Sequence, residues 1–156
     1  TRAQAVALCE ELRSLRPDVV FGADVIVGFP TETEAMFQNT LDLVADCGLT
    51  WLHIFPYSER PGTPASQMPS VEISERKSRA VRLRAVGDAA ARRYLESQVG
   101  LTEQILLETQ TKGHTASFAP VEIGQPGTPG DIVAARIDRV DADGNLQATP
   151  VAQRTT

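Results

Sequence analysis

Hydrophobic residues recur at two different periods along this chain, and the period changes near residue 100. Before that point some segments have apolar residues every three or four positions, as amphipathic helices do, and others are almost continuously apolar, as buried strands are. After it, short apolar runs alternate with turn-forming residues, as in small all-β domains. The pattern predicts an α/β portion over residues 1–99 and a small all-β barrel or sandwich over residues 100–156.

The α/β portion begins with a helix and a strand. Over residues 4–15, the positions that share one helical face are Ala5, Leu8, Cys9, Leu12 and Leu15. Residues 19–29 are almost all apolar, with Asp24 the one charge, which predicts a strand buried on both faces of a parallel sheet.

A second helix and a second strand follow. Thr31 and Glu34 have the spacing of a capping box, and Gly48 suits the left-handed position that ends a helix. Residues 49–55 then form a strand, and a long helix over residues 72–99 begins at a cap on Ser70 or Ser74.

Alternating helices and strands of this kind predict a parallel sheet. Two strands cannot bury both faces of a sheet, so we expect the rest of it to come from preceding sequence or from a partner chain. Thr1 is not an initiator methionine, which favours a piece of a longer polypeptide. If the chain folds alone, we predict that it self-associates through the open sheet edge.

The barrel portion has four strand-like runs, over residues 103–110, 116–123, 131–140 and 145–149. Turns are predicted at Lys112-Gly113, at residues 125–130 and at Asp143-Gly144. The segment 141–145, Asp-Ala-Asp-Gly-Asn, lacks the ligand alternation and distal glutamate of a calcium loop, so we interpret it as a hairpin turn.

The amino-acid composition and the net charge exclude several classes of protein. Among 156 residues, 42% are hydrophobic, and neither a membrane span nor a secretion signal is evident, which favours a cytoplasmic protein. Cys9 and Cys47 are far apart in sequence, so we expect reduced thiols and no metal site; His53 and His114 are likewise too isolated to bind one. The net charge of −5 argues against nonspecific nucleic-acid binding.

Two segments carry the candidate chemistry: DVIVGFPTETEAMFQNTL from residue 24 and LHIFPYSERPGTPA from residue 52. Gly28 ends a strand, where a backbone without Cβ lets a ligand approach closely. An equally valid interpretation is that Gly28 and Pro30 only make a tight turn.

Together these segments resemble the last barrel strands of radical S-adenosylmethionine methylthiotransferases, which have the forms D-x-I-V-G-F-P-G-E-T and Y-S-x-R-x-G-T-x-A. The resemblance covers essentially the whole chain, because those enzymes end in a small β-barrel called the TRAM domain. HIFPYS and GHTASFAPV, residues 113–121, are most similar to the branch that methylthiolates N6-threonylcarbamoyladenosine in tRNA. The branches acting on isopentenyladenosine in tRNA or on a ribosomal protein are less similar.

The resemblance implies a binding site for S-adenosylmethionine near the ends of both strands. Its implied residues are Ile26, Gly28, Phe29, Pro30, Phe55, Pro56 and Tyr57. A flat adenine ring favours such apolar and aromatic surroundings. Arg60, in the following loop, could pair with an RNA phosphate or a cofactor carboxylate, or lie in solvent.

Contacts with RNA are expected from the long helix and the barrel. Arg76, Lys77, Arg79, Arg82 and Arg84 are concentrated in nine residues of the helix, although an ordinary solvated surface explains them equally well. From Gly100 onward, four basic residues face seven acidic ones, the wrong sign for RNA binding. Either barrel contacts come from His114, Ser117 and Phe118 by stacking or hydrogen bonding, or the barrel contributes shape more than charge.

The chain departs from the family pattern in two respects. Thr31 replaces the glycine of P-G-E-T, where a positive φ is accessible; we expect a local adjustment and no loss of function. The cysteines that hold two [4Fe-4S] clusters in the family are absent, so we predict that this chain alone is inactive. The alternative to an enzyme fragment is a non-catalytic RNA-binding module.

Overall fold

Two parallel strands and the helices around them form the first part of the molecule. The computed structural model describes residues 1–151. In this part the elements are α1 (Arg2–Leu15), β1 (Phe21–Val27), α2 (Glu34–Asp46), β2 (Leu49–Pro56), a short 3-10 helix (Pro64–Gln67) and α3 (Ile73–Ser97).

The sheet of β1 and β2 has one covered face and one open face. Asp24 lies beside His53 and Ile26 beside Phe55 in the parallel register. Residues that alternate with these face the core, whose fully buried members are Val27, Phe37, Val44, Ala80 and Leu83. Ile26 and Phe55 remain 56% and 51% exposed. The prediction that β1 is buried on both faces is therefore wrong within the described chain, because no element there covers the second face.

Helix α1 forms where its pattern predicts, but its apolar face is not covered. Thr1 caps the helix in a reciprocal arrangement with Gln4. None of the helix residues is buried, and Leu8, Leu12 and Leu15 are 40–76% exposed. An uncovered sheet face and an uncovered helix face agree with the expectation that further chain packs here. Whether copies of the chain instead pair through the open edge stays a prediction.

The connection between β1 and α2 differs from the predicted capping box. The backbone N–H of Glu32 donates to the Phe29 carbonyl at 2.9 Å, and Thr31 has a φ of 69°. Proline second and a positive φ third are typical of a type II turn. The turn postpones the helix, so Thr33 and not Thr31 is the cap, accepting from the N–H of Met36 at 3.2 Å. Gly48 ends α2 at a φ of 59°, as predicted.

The start of α3 also differs from its prediction. The helix begins at Ile73, so Ser74 lies inside it and Ser70 lies before it, and neither is the cap. Gly100 follows the helix with a φ of 90°. Within residues 1–151 no helix is both long enough and apolar enough to cross a membrane.

A closed β-barrel follows α3. Its strands are β3 (Thr102–Leu107), β4 (Lys112–Thr115), β5 (Pro120–Ile123), β6 (Ile132–Val140) and β7 (Leu146–Pro150), in the spatial order β3-β4-β5-β7-β6. Buried side chains that fill it include Ile105, Leu107, Ile137 and Leu146. The architecture is mixed α/β followed by a small barrel of the OB-like kind, as the sequence pattern predicts.

One strand of the barrel was not predicted. Lys112-Gly113, interpreted as a turn, lies in β4, which pairs with both β3 and β5. A Cβ on Gly113 would lie 2.0 Å from the carbonyl oxygen of Leu106. Gly113 therefore lets two strands approach closely. In the sequence, a glycine with this function is easily mistaken for part of a turn.

The chain divides into two compact units, the first ending at Ala91 and the second beginning at Arg92. The last turns of α3 group with the barrel, while every barrel strand lies after residue 100. The domain boundary at residue 100 stays a prediction.

Candidate cofactor-binding and RNA-binding sites

The carboxyl ends of β1 and β2 bring together the predicted cofactor residues. The parallel pairing continues past β2, since the N–H of Tyr57 donates to the Val27 carbonyl at 2.8 Å. The Phe29 ring meets the Tyr57 ring edge-on, with centroids 5.3 Å apart. Ile26, Phe29, Phe55 and Pro56 are exposed here. The ends of the two strands thus form one apolar surface with aromatic sides.

Gly28 and Pro30 are buried and support this surface from below. Gly28 has a φ of 69°, and a Cβ there would lie 2.4 Å from Cγ of Arg76. The glycine is thus required by the close approach of α3 and by its own backbone conformation. This observation favours the turn-and-packing interpretation of Gly28.

Arg76 ties α3 to the loop after β2. Its Nε donates to the Val71 carbonyl at 2.7 Å and its Nη1 donates to the Tyr57 carbonyl at 3.1 Å. The guanidinium also lies over the Tyr57 ring, 5.4 Å from the centroid. Arg76 is therefore engaged with protein groups, and its contact with an RNA phosphate stays a prediction.

Arg79 ties the same helix to the loop after β1. Its side chain is only 6% exposed and donates to Oε2 of Glu32 at 2.6 Å and to Oε1 of Glu75 at 3.0 Å. Oε2 of Glu32 also accepts the N–H of Gly28 at 2.8 Å. Burial and these ion pairs favour a structural role for Arg79, and its contact with RNA stays a prediction.

The pKa values of Arg79 and Glu34 shift in the directions that favour their charged forms. Burial alone would lower the pKa of Arg79, but hydrogen bonds and charges from Glu32 and Glu75 outweigh it and raise the pKa. A hydrogen bond from Arg82 holds the pKa of Glu34 below its usual value. Arg79 therefore stays charged in the folded protein, and its ion pair with Glu32 fixes the loop that follows β1.

Helix amphipathicity could have revealed part of this arrangement. Arg76 and Arg79 lie on the helical face that also carries Ala80 and Leu83, whereas Lys77 is exposed. Arg82 pairs with Glu34 at 2.7 Å, and Arg84 donates to the Ile54 carbonyl at 3.1 Å. Among Arg76, Lys77 and Arg79, Lys77 is the one that the described structure leaves in solvent. Arg60 is also exposed.

The residues around the strand ends fit an adenine-containing cofactor. Ile26 and Phe55 form an exposed apolar pair. The hydroxyl of Tyr57, whose ring contacts Phe29, is buried and has no hydrogen-bond partner within residues 1–151. A buried hydroxyl is costly unless it finds a partner, so a polar ligand atom or further protein would satisfy it. Iron–sulfur clusters do not fit: no group of three potential metal-binding residues occurs in the described chain.

The candidate RNA surface of the barrel is a loop with an unusual aromatic residue. Phe118 has a φ of 62° and is 73% exposed. Its ring stacks on His114, with centroids 5.1 Å apart and planes 16° from parallel. Thr115 holds the loop by accepting the N–H of Ala119 and by bonding the Ser117 hydroxyl at 2.8 Å, which in turn bonds the Tyr94 hydroxyl. An ordered loop thus displays a stacked aromatic pair to solvent.

The Asp141–Asn145 segment is a hairpin turn, as predicted. Oδ1 of Asp141 accepts the N–H groups of Asp143 and Asn145 at 3.0 and 2.8 Å, and Gly144 has a φ of 83°. These bonds, led by that from Asn145, lower the pKa of Asp141. The carboxylate organises the turn and has no calcium-binding partners among the described residues.

Comparison with known proteins gives the family. The chain is 43% identical to threonylcarbamoyladenosine tRNA methylthiotransferase MtaB of Rickettsia prowazekii, over 87% of the chain and 32% of the relative. It is 38% identical to the tRNA-2-methylthio-N(6)-dimethylallyladenosine synthases of Ruegeria pomeroyi and Symbiobacterium thermophilum, over 88% and 96% of the chain.

No protein-family profile matches the chain. The chain spans about a third of the length of the three relatives. Because it is 38–43% identical to them over most of its own length, it belongs to the radical S-adenosylmethionine methylthiotransferase family.

Proposed function

We propose that this chain is the carboxyl-terminal part of a tRNA methylthiotransferase that modifies N6-threonylcarbamoyladenosine. The observation that carries the proposal is the convergence of the two motif segments at one end of the sheet, in a chain 43% identical to an enzyme named for this reaction. The first unit would be the last part of the catalytic α/β barrel, and the second unit the TRAM domain.

In the proposed enzyme, Ile26 and Phe55 pack against the adenine of S-adenosylmethionine. Phe29, Pro56 and Tyr57 border it, while Gly28 and Pro30 hold the loop in shape. When bound, the cofactor would supply radical chemistry for activation of the base, together with a cluster held elsewhere in the polypeptide. The residues of this chain bind and orient the cofactor and exclude water. They supply no cluster ligands, so the chain alone should be inactive.

The open sheet face and the uncovered face of α1 would pack against the missing amino-terminal part of the same polypeptide. Support comes from their apolar composition: Ile26, Phe55, Leu8 and Leu15 are all more than half exposed. Burying such surface stabilises a protein by roughly 25 cal/mol for each Å² removed from water. A cytoplasmic location, where tRNA is modified, follows from the proposed substrate.

The RNA side of the proposal rests on Phe118 and His114. Stacking on an exposed aromatic ring contributes about 1–3 kcal/mol per base and needs little positive charge, which suits an acidic barrel. Lys77 and Arg60 are the more exposed candidates for phosphate contact in the first unit, since Arg76 and Arg79 bond to protein groups.

The main test is nucleoside analysis in a bacterial strain that lacks its own methylthiotransferases. The full-length protein that contains this chain should produce methylthiolated threonylcarbamoyladenosine in tRNA digests analysed by mass spectrometry. Phe55→Ala should reduce that product at least tenfold, because the adenine loses its apolar neighbour. Val81→Ala, which truncates a residue that is 64% exposed on α3, is the matched control.

The same digest distinguishes the alternatives. Methylthiolated isopentenyladenosine would favour the function named for the Ruegeria and Symbiobacterium relatives. Product on a ribosomal protein, with unmodified tRNA, would move the chain to the third branch. Absence of all products from a folded, cluster-loaded protein would contradict the enzyme proposal.

The RNA-binding alternative is tested with the chain itself and an anticodon stem-loop RNA. Phe118→Ala should weaken binding about tenfold if a base stacks there. Ile132→Ala, at a site 62% exposed on β6, removes a comparable apolar side chain away from the loop and should leave affinity unchanged. Equal affinities of both variants and the original chain would exclude Phe118 as a contact.

A further inference from the structure

The fold brings together two cysteines that are distant in the sequence. Both Cys9 and Cys47 are free thiols, and α1 contacts the end of α2. At one point of this contact Arg2 pairs with Asp46. At another, Nη2 of Arg13 donates to the Cys47 carbonyl at 2.9 Å.

Cys9 lies between these two contacts on the same face of α1. It follows Arg2 by about two helical turns and precedes Arg13 by about one, so all three side chains point toward the end of α2. Cys47 directly follows the last residue of α2. The Arg2–Asp46 ion pair on one side and the Arg13–Cys47 hydrogen bond on the other therefore place Cys9 beside Cys47.

The two thiols differ in their access to solvent. Cys47 is only 2% exposed, whereas Cys9 is partly exposed. A reagent in solution therefore reaches Cys9 first. Burial, reinforced by the neighbouring Cys9, raises the pKa of Cys47, and the charges of Arg2 and Arg13 partly oppose this shift. Cys47 is suited to react with a neighbouring sulfur and poorly suited to react with an external reagent.

We propose that Cys9 and Cys47 form a reversible intramolecular disulfide, in which Cys9 reacts with an external disulfide and Cys47 resolves the adduct. This inference does not depend on the proposed function. It concerns a redox modification site outside the cofactor loops, and it would fix α1 to the connection between α2 and β2.

The reaction balances with a low-molecular-weight disulfide as the oxidant. The Cys9 thiolate attacks one sulfur of the reagent, forming a mixed disulfide and releasing one thiol. Cys47 then loses its proton and attacks the Cys9 sulfur, which forms the intramolecular bond and releases the second thiol. The protein gives up two electrons and two protons, and the reagent becomes two thiols.

A metal site is a weaker interpretation of the same pair. Two thiolates leave most metal ions short of ligands, and the described residues contain no group of three that could hold one. The pair is therefore assigned to redox chemistry.

The experiment treats the purified chain with glutathione disulfide and follows it by intact-protein and peptide mass spectrometry. The original chain should lose two hydrogens, retain no glutathione, and yield a peptide that links Cys9 to Cys47. A reducing agent should restore the starting mass. Cys47→Ser should accumulate a stable glutathione adduct on Cys9, because no resolving thiol remains.

Cys9→Ser is the matched control: with the exposed thiol gone, Cys47 should react at least tenfold more slowly than Cys9 does in Cys47→Ser. Glutathione retained on Cys9 of the original chain would overturn the proposal, since it would mean that Cys47 cannot reach the adduct. Cross-linking only between two chains would overturn it as well. The measurement on the original chain decides the matter even if a variant fails to fold.

Discussion

In the first unit the sheet of β1 and β2 buries one face and leaves the other in solvent, whereas in the second unit the strands close on themselves. Ile26 and Phe55 are more than half exposed, while Ile105 and Ile137 in the barrel are fully buried. The barrel therefore satisfies its own apolar surface, and the first unit retains surface for something else. Its open face coincides with the predicted cofactor side chains.

The strongest test of this difference between the units is to produce each unit as a separate protein. We expect residues 92–156 alone to unfold in one cooperative transition, because their barrel is closed. Residues 1–91 alone should show no cooperative transition or should self-associate through their open surfaces. Circular dichroism melting and sedimentation velocity measure both properties. A strictly monomeric first unit with a sharp transition would show that the open face needs no partner.

Gly113→Ala tests the tightness of the barrel. The new Cβ would meet the Leu106 carbonyl at 2.0 Å, and backbone cannot give way cheaply. We expect a loss of about 3 kcal/mol or more in the free energy of unfolding of the second unit. Gly124→Ala, where nothing lies within 4 Å of the new Cβ, should change it by less than about 0.5 kcal/mol. Similar urea midpoints for both variants would refute the steric argument.

Arg79→Met tests the ion pairs that hold the first unit together. Removing the arginine leaves the Glu32 carboxylate, only 12% exposed, without its cation, and we expect a loss of about 3 kcal/mol. Arg82→Met breaks the pair with Glu34, in which both side chains are more than 40% exposed, and should cost less than about 1 kcal/mol. Equal costs in urea unfolding would mean that burial of Arg79 is not the decisive difference.

Thr31→Gly should stabilise the first unit. A β-branched residue at a φ of 69° is strained, and glycine relieves that strain while adding entropy to the unfolded chain. We expect a net gain of about 1 kcal/mol in unfolding free energy. Thr33→Gly, at the helix cap, should instead lose a few tenths of a kcal/mol. A loss at position 31 would show that other contacts of Thr31 outweigh the strain.

The smallest expected effect is a pH dependence in the barrel. The pKa of Asp141 is lower in the folded state than its usual value. Its contribution to stability is therefore complete above the ordinary aspartate pKa of about 3.9 and is lost as the pH falls below it. Asp141→Asn should destabilise the second unit slightly at pH 7 and by less at pH 2.5. A difference that persists unchanged at acid pH would exclude the carboxylate as the cause.

Sequence patterns predicted the elements better than their ends. The helices and strands of the first unit occur in the predicted order, because apolar periodicity reflects burial against a core. The cap at Thr33 was missed because Thr31 also fits the capping pattern and only the turn geometry separates them. Strand β4 was missed because Lys112-Gly113 reads as a turn, although its glycine serves close strand contact.

The sequence by itself determined the family, because the two motif segments have the order and spacing of the family. It also determined that the fold changes from α/β to all-β along the chain. Tertiary structure alone decided which charged residues face solvent. Arg76, Lys77 and Arg79 lie within four positions of one another. Arg76 donates to the loop after β2 and Arg79 to the loop after β1, whereas Lys77 is exposed to solvent. It also decided that Cys9 lies beside Cys47. Both outcomes depend on which elements pack together, and local sequence does not encode the distance between residues on different elements.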